Sequence, residues 1–292
     1  MLPSIDLGFI EIPLYGPIFG IGAVIAIIIV SRISERTGVR RYHSLYAAIY
    51  GMIGLVIGAK LLYLITKLPA IISRFDAFSE LFKLDYKAAL DFAFGGMVFY
   101  GGLLGFIAGA YLYCRQYKVP FIGLVDLYTP FLPFVHGFGR IGCFCAGCCY
   151  GVEYHGVLSV HFPYNEVVPE LSDVERFPVQ LVEALFNFIC FAVLFTLMRK
   201  EMKRPEEDRK LRQGQLCGIY LTYYLVVRTV LEFFRGDAIR GKVGFLSTSQ
   251  IISLLLIIPA VLLLRAKGRE KIFFVPQKEE VVGQESIRVE KK

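Results

Sequence analysis

The chain has 292 residues, 55% of them hydrophobic, a net charge of +7 and a mean hydropathy of +0.57. It is too apolar for the two soluble domains its length would otherwise suggest, because soluble domains are about 45–50% apolar even with glycine counted. The excess positive charge collects in the loops between apolar runs, so it is a topology signal and excludes a nucleic-acid binder.

A bilayer core of about 30 Å takes about 20 apolar residues as a helix. Seven stretches qualify: 14–30, 44–65, 94–114, 119–139, 179–198, 216–234 and 246–264. The first is not a signal peptide, since residues 1–13 hold Asp6 and Glu11 but no Lys or Arg. Arg32, Arg36, Arg40 and Arg41 follow the first stretch, and Arg115 and Lys118 follow the third. Arg199, Lys200, Lys203, Arg204, Arg209, Lys210 and Arg212 follow the fifth, and Arg265, Lys267, Arg269 and Lys271 the seventh. All fall on one side if the N-terminus is outside and the C-terminus is in the cytoplasm. Residues 66–93 predict a short amphipathic helix on the outer surface, with Phe75, Phe78, Leu81 and Phe82 near helical spacing. Residues 141–178 predict a small strand-and-turn cap, from Gly151, Gly156, Pro163 and Pro169 and the alternating Leu158, Val160 and Phe162. The predicted fold is an all-α polytopic membrane protein of seven transmembrane helices with an outer-face cap. Residues 1–275 form one domain, and 276–292 are a charged, disordered tail. No internal repeat appears.

Two polar islands interrupt the apolar runs. The first, HGFGRIGCFCAGCCYG at 136–151, carries an arginine among glycines and four of the seven cysteines. His136 and Arg140 are four residues apart and share a helix face. Gly137, Gly139 and Gly142 let a backbone or a ligand come close. The second island is Tyr224, Arg228, Glu232 and Arg235, again one helix face. A charge at the bilayer centre costs about 2.5–3.5 kcal/mol on insertion scales, so these groups face a cavity or partners. Arg228 and Glu232 are spaced to pair. The stripe is either an ion pair that locks helices or, with two arginines against one glutamate, an anion site. A phosphate diester suits it, because guanidinium offers a planar donor fork. His136 is a proton carrier or a satisfied structural histidine.

Cys143, Cys145, Cys148 and Cys149 read C-x-C-x2-C-C. Thiolates bind zinc and iron–sulfur clusters. However, no second Cys/His cluster follows at zinc-finger spacing, and the predicted topology puts the thiols at the oxidising face. One disulfide, or small buried thiols, is the expectation, with no metal and no cofactor. Cys114, Cys190 and Cys217 sit in or beside spans as packing residues.

Motifs spread over 14–264 carry a resemblance. Tyr15-Gly16 opens the first span, and Gly58-Ala59-Lys60-Leu61 is similar to a Gly-x-Arg-Leu element. Tyr100-Gly101-Gly102-Leu103-Leu104-Gly105 is similar to His-Gly-Gly-hydrophobic-x-Gly. Gly139-Arg140-Ile141-Gly142-Cys143-Phe144, continuing to Gly151, resembles a Gly-Arg-x-Gly-Asn-Phe signature. Pro178-x-Gln180-Leu181-x-Glu183 resembles Pro-Ser-Gln-Leu-Tyr-Glu. Tyr224-x3-Arg228-x3-Glu232-Phe233-Phe234-Arg235 and Ser247-x-Ser249-Gln250-Ile251 complete the series. Together they resemble the bacterial prolipoprotein diacylglyceryl transferases. The chain departs from the pattern at Tyr100 for histidine, Cys143 for asparagine and Cys148 for a later glutamate.

The resemblance implies a multi-pass enzyme of the bacterial cytoplasmic membrane, its site open to the outer face. Its substrates would be phosphatidylglycerol and the lipobox cysteine of a prolipoprotein signal peptide, in contact with membrane lipids. A diacylglyceryl group would pass to the thiol as a thioether, and glycerol phosphate would leave. Arg140, Arg228, Glu232, Tyr100 and His136 would be catalytic. Tyr15, Gly101, Gly102, Gly142, Gly151, Gln180, Glu183, Tyr224 and Arg235 would bind substrate. The competing readings are a relative of altered activity that binds phospholipid or lipoprotein, and a transporter or channel with a polar core.

Overall fold

The computed structural model describes residues 4–6, 11–37, 39–162, 173–236, 242–243, 246–265 and 270–272. The tail at 276–292, with Pro163 and Pro169, lies outside them. Ten α-helices occur among the described residues: α1 (Tyr15–Ser34), α2 (Arg41–Ser73), α3 (Phe75–Leu84), α4 (Tyr86–Phe94), α5 (Phe99–Gln116), α6 (Phe121–Tyr128), α7 (Phe131–Cys145), α8 (Val179–Lys203), α9 (Gln215–Glu232) and α10 (Thr248–Leu264). Three antiparallel two-stranded ribbons join them: β1 (Ser4–Asp6) with β2 (Glu11–Pro13), β3 (Val160–Phe162) with β4 (Val174–Arg176), and β5 (Lys242–Val243) with β6 (Leu246–Ser247).

The helices α1, α2 and α8 are each long and apolar enough to cross a membrane. Among the described residues such spans number up to five if α4–α5, bent by 73°, and α6–α7, bent by 47°, each count as one. Outward faces are apolar: α8 exposes Leu185, Ile189 and Val193 at four-residue spacing. Its opposite side buries Glu183, Asn187, Cys190, Leu194 and Met198. One face therefore suits lipid and the other meets helices.

Three boundaries differ from the hydropathy reading. Apolar Leu68, Ile71 and Ile72 carry α2 on to Ser73, past the expected end at Ile65, and two short helices, α3 and α4, follow. The third stretch turns before Phe99, so α5 begins later than Phe94. The fourth stretch is broken between α6 and α7, because Pro130 has no N–H to continue the ladder. Thr129 closes α6 by donating its Oγ1 hydrogen to Val125 O at 2.8 Å. The cap prediction corresponds to β3–β4, which pairs Val160 with Arg176 and Phe162 with Val174.

The α2–α5 pair packs backbone to backbone. A Cβ added at Gly58 would lie 2.2 Å from Gly101 O, and one at Gly101 would lie 2.3 Å from Gly58 O. Gly54 and Gly105 repeat the contact one turn away. This is small-residue helix packing, which lipid-embedded helices use because the hydrophobic effect does not drive them together.

The core lies where α1, α6, α7, α8 and α9 meet, around the buried Val30, Leu127, Phe131, Leu194, Met198 and Leu216. Asp126 of α6 is fully buried there. The Gly214 N–H donates to its Oδ2, and the Cys217 N–H donates to Oδ1 at 3.4 Å. Asp126 thus caps α9 from a neighbouring helix, meeting the orphan donors of its first turn. Asp126→Ala should cost about 2 kcal/mol, since hydrogen bonds to a charged group are lost. A drop in melting temperature of the detergent-solubilised protein would register it, and an unchanged value would refute the capping role.

Candidate active site

Helix α8 packs against both α7 and α9 and brings the two polar islands together. Arg140 Nη2 lies 2.9 Å from Glu183 Oε1. The Arg140 Nε–H donates to His136 Nε2 at 3.3 Å, and that nitrogen is 3.5 Å from Glu183 Oε1. On α9, Arg228 Nη2 pairs with Glu232 Oε2 at 2.8 Å, along one helix turn. The His136 and Tyr224 rings, 6.0 Å apart between centroids, link the islands. Arg235 follows α9 and lies within electrostatic reach of Arg140 and Arg228, and Glu183 within reach of Arg228.

Three guanidiniums therefore form one cluster with two carboxylates, and it is net positive with His136 neutral. Both Arg228 and Glu183 are buried. Arg228 Nη1 and Glu183 Oε2 have no hydrogen-bond partner among the described residues. A buried guanidinium N–H without an acceptor is costly unless a ligand supplies one. This geometry favours an anion with several acceptor oxygens.

Of the remaining predicted residues, Tyr15, Gly142, Gln180 and Gly151 pack around the turn that follows α7, whereas Tyr100, Gly101 and Gly102 lie on α5, whose glycines face α2. Tyr15 opens α1 against Gly142, where a Cβ would come 3.2 Å from Tyr15 Cα. Buried Gln180 donates from Nε2 to Cys148 O at 3.0 Å, tying the cysteine turn to α8. Gly151 bridges Arg235 in an antiparallel pair. It also touches Phe177 O so closely that a Cβ there would lie 2.2 Å away. Tyr100, at the start of α5, meets Phe99 edge-on at 5.5 Å. Gly101 and Gly102 turn toward α2.

A scan against family models matches residues 3–266 to "Prolipoprotein diacylglyceryl transferase". The chain is 34% identical over 244 residues to the phosphatidylglycerol–prolipoprotein diacylglyceryl transferase of Clostridium tetani, covering 84% of this chain and 88% of that one. It is 32% identical over 260 residues to enzyme 2 of that name from Clostridium perfringens, covering 88% and 93%. A Rickettsia felis protein of the same name is 32% identical over 217 residues, covering 73% and 74%. The chain belongs to the prolipoprotein diacylglyceryl transferase family. As a member of the diacylglyceryl transferase family it is a multi-pass membrane protein, in keeping with its apolar helices.

Two features of this diacylglyceryl transferase family member go beyond the sequence reading. Arg176 of β4 is buried, donates from Nη1 to Gly151 O at 3.3 Å and stacks 4.7 Å from the Tyr150 ring centroid. It clamps the end of the signature segment, and one arginine in a loop without periodicity gave no signal of that role. Second, Cys143, Cys148 and Cys149 bring their sulfurs within 4.8 Å of one another, as three thiols and not as a disulfide.

Proposed function

We propose that the protein transfers the diacylglyceryl group of phosphatidylglycerol to the lipobox cysteine of exported prolipoproteins, giving a thioether and glycerol phosphate. The carrying observation is the buried, net-positive arginine cluster, in which Arg228 Nη1 has no acceptor among the described residues. Arg140, Arg228 and Arg235 bind the phosphate diester, and Glu183 and Glu232 hold two of those guanidiniums in place. The acceptor sulfur attacks the terminal glyceryl carbon, and the carbon–oxygen bond to phosphate breaks. Charge then develops on the departing phosphate oxygen, where fixed cationic donors stabilise the transition state. The thiolate is the nucleophile. His136 takes the thiol proton at Nε2 once Arg140 turns its Nε–H from that nitrogen to the phosphate, and Glu183, 3.5 Å away, stabilises the imidazolium that forms.

The topology we propose has seven spans: α1, α2, α4–α5, α6–α7, α8, α9 and α10. The basic loops support an N-terminus outside and a C-terminus in the cytoplasm, and on this topology the site opens to the outer face of the bacterial cytoplasmic membrane. The name of the relatives, which gives a prolipoprotein as acceptor, supports this substrate class, and the lipobox cysteine is the residue we assign within it.

The test supplies purified protein in liposomes with labelled phosphatidylglycerol and a lipobox peptide. Label on the peptide cysteine is the expected result. Lipid binding without transfer would instead identify a relative of altered activity. Within the same assay, His136→Asn should slow transfer by about 100-fold or more, the usual contribution of a positioned base. Tyr100→Phe, which removes the alternative proton acceptor on α5, should change it by far less. The reverse ranking would move the proton acceptor to Tyr100.

A further inference from the structure

The three sulfurs of Cys143, Cys148 and Cys149 do not meet by accident of spacing. Gly147 at φ 70° and Cys149 at φ 60° fold the chain back after α7. The Cys148 N–H donates to Cys143 O at 3.1 Å. A left-handed cysteine persists only where its surroundings impose it. Here Gln180 holds the Cys148 carbonyl, and the Gly151–Arg235 bridge fixes the chain just beyond. The turn is anchored to α8 and to the end of α9, so the thiol cluster is built into the scaffold.

The donor set selects the guest. Thiolates bind thiophilic ions such as zinc, at about 2.3 Å. Sulfurs on a tetrahedral zinc stand about 3.8 Å apart by the same bond length, so a cluster within 4.8 Å closes on the ion with small side-chain movements. Three thiolates on a dication carry one negative charge, and Arg140 and Arg235 lie within electrostatic reach of the thiols to balance it. A disulfide suits the set less well. Adjacent Cα atoms across a trans peptide are about 3.8 Å apart, below the usual disulfide range of about 4.4–6.8 Å, which disfavours Cys148–Cys149. Either other pairing leaves a thiol over.

We propose that Cys143, Cys148 and Cys149 bind a zinc-class ion through three thiolates, leaving the fourth position for the sulfur of the acceptor cysteine. This rests on the transferase reading above. Catalytic zinc sites have this form, three protein ligands and one open position. Cys148 is exposed, which gives the fourth ligand a way in. Arg140 lies one helix turn before Cys143, so the bound sulfur stands beside the phosphate cluster. Coordination deprotonates a thiol. The acceptor S–H proton passes to His136, and a sulfur lone pair forms the new C–S bond. The C–O bond breaks, its electron pair stays on the phosphate oxygen, and that oxygen takes the proton from His136. The product is a neutral thioether, a weaker ligand than a thiolate, and it leaves the ion.

The test uses the full-length protein, purified reduced in detergent, with cobalt(II) as the probe. Thiolate-to-cobalt charge transfer and intense tetrahedral d–d bands are expected. The d–d bands should shift with a lipobox peptide and not with its Cys→Ser counterpart. Cys148→Ser, at an exposed position, should weaken cobalt binding by at least about 100-fold while the protein elutes unchanged in gel filtration. Absence of thiolate–cobalt bands in the wild-type protein would overturn the site. So would full transfer activity by protein shown to be metal-free, and in that case the transferase reading stands. Bands that respond to the thiol peptide, without transfer to it, would support the metal site and reject the transferase reading.

Discussion

Arg140→Ala is expected to lower diacylglyceryl transfer by about 100- to 1,000-fold, and also to destabilise the protein. The two effects have different origins and separate experimentally. Arg140 is a phosphate donor in the proposed reaction, and removing one preorganised donor from a developing oxyanion costs about 100- to 1,000-fold. It also neutralises Glu183, which is buried and 2.9 Å away. Truncation strands that carboxylate, and breaking a buried pair from one side costs about 3–5 kcal/mol. The double variant Arg140→Ala with Glu183→Ala removes both charges together. Thermal unfolding in detergent should therefore recover toward wild type in the double variant, while transfer remains lost. Arg140→Lys keeps a charge but not the fork, and should fall between. Normal turnover by Arg140→Ala would remove Arg140 from the chemistry. Recovery of transfer in the double variant would reduce it to a counter-ion of Glu183.

The sequence made the helices α1, α2 and α8 legible because long apolar runs have few other stable arrangements. The Arg228–Glu232 and His136–Arg140 contacts were legible for a local reason, that residues four apart meet on a helix face. Other features depend on tertiary packing. Glu183 reaches Arg140 only because α7 lies on α8, and no periodicity encodes that. The break between α6 and α7 was missed: Pro130 marks it, but hydropathy averaged over a window hides a single missing donor. The cysteine cluster shows a third case. Its spacing was plain, yet its closure depends on left-handed turns at Gly147 and Cys149, and Cys149 is a residue type that rarely adopts one.

Gly101 and Gly102 are expected to part company when each is changed to alanine. Family resemblance assigns both to substrate binding, whereas the helix geometry gives them unequal roles. A Cβ at Gly101 would meet Gly58 O at 2.3 Å and Leu62 Cβ at 2.5 Å, the first of these a backbone atom. No rotamer change relieves that contact, so α2 and α5 must separate, and the Gly54–Gly105 contact goes with them. Overpacking of this kind costs about 1–3 kcal/mol for one methyl and more where backbone must move. Gly101→Val should leave little folded protein. A Cβ at Gly102 would meet Leu55 Cγ at 3.3 Å and Ala59 Cβ at 3.5 Å, contacts that a small shift accommodates. Gly102→Ala should stay within about 1 kcal/mol of wild type, since alanine's higher helix propensity offsets the tight Leu55 contact. Denaturant titration in detergent gives the stabilities, and transfer per folded molecule gives the function. Should both alanines leave stability untouched and raise KM, the two glycines line the substrate path and the packing account fails. Should Gly101→Ala lose stability while Gly102→Ala keeps both, Gly101 serves the site at one remove, by setting where α5 begins and therefore where Tyr100 stands.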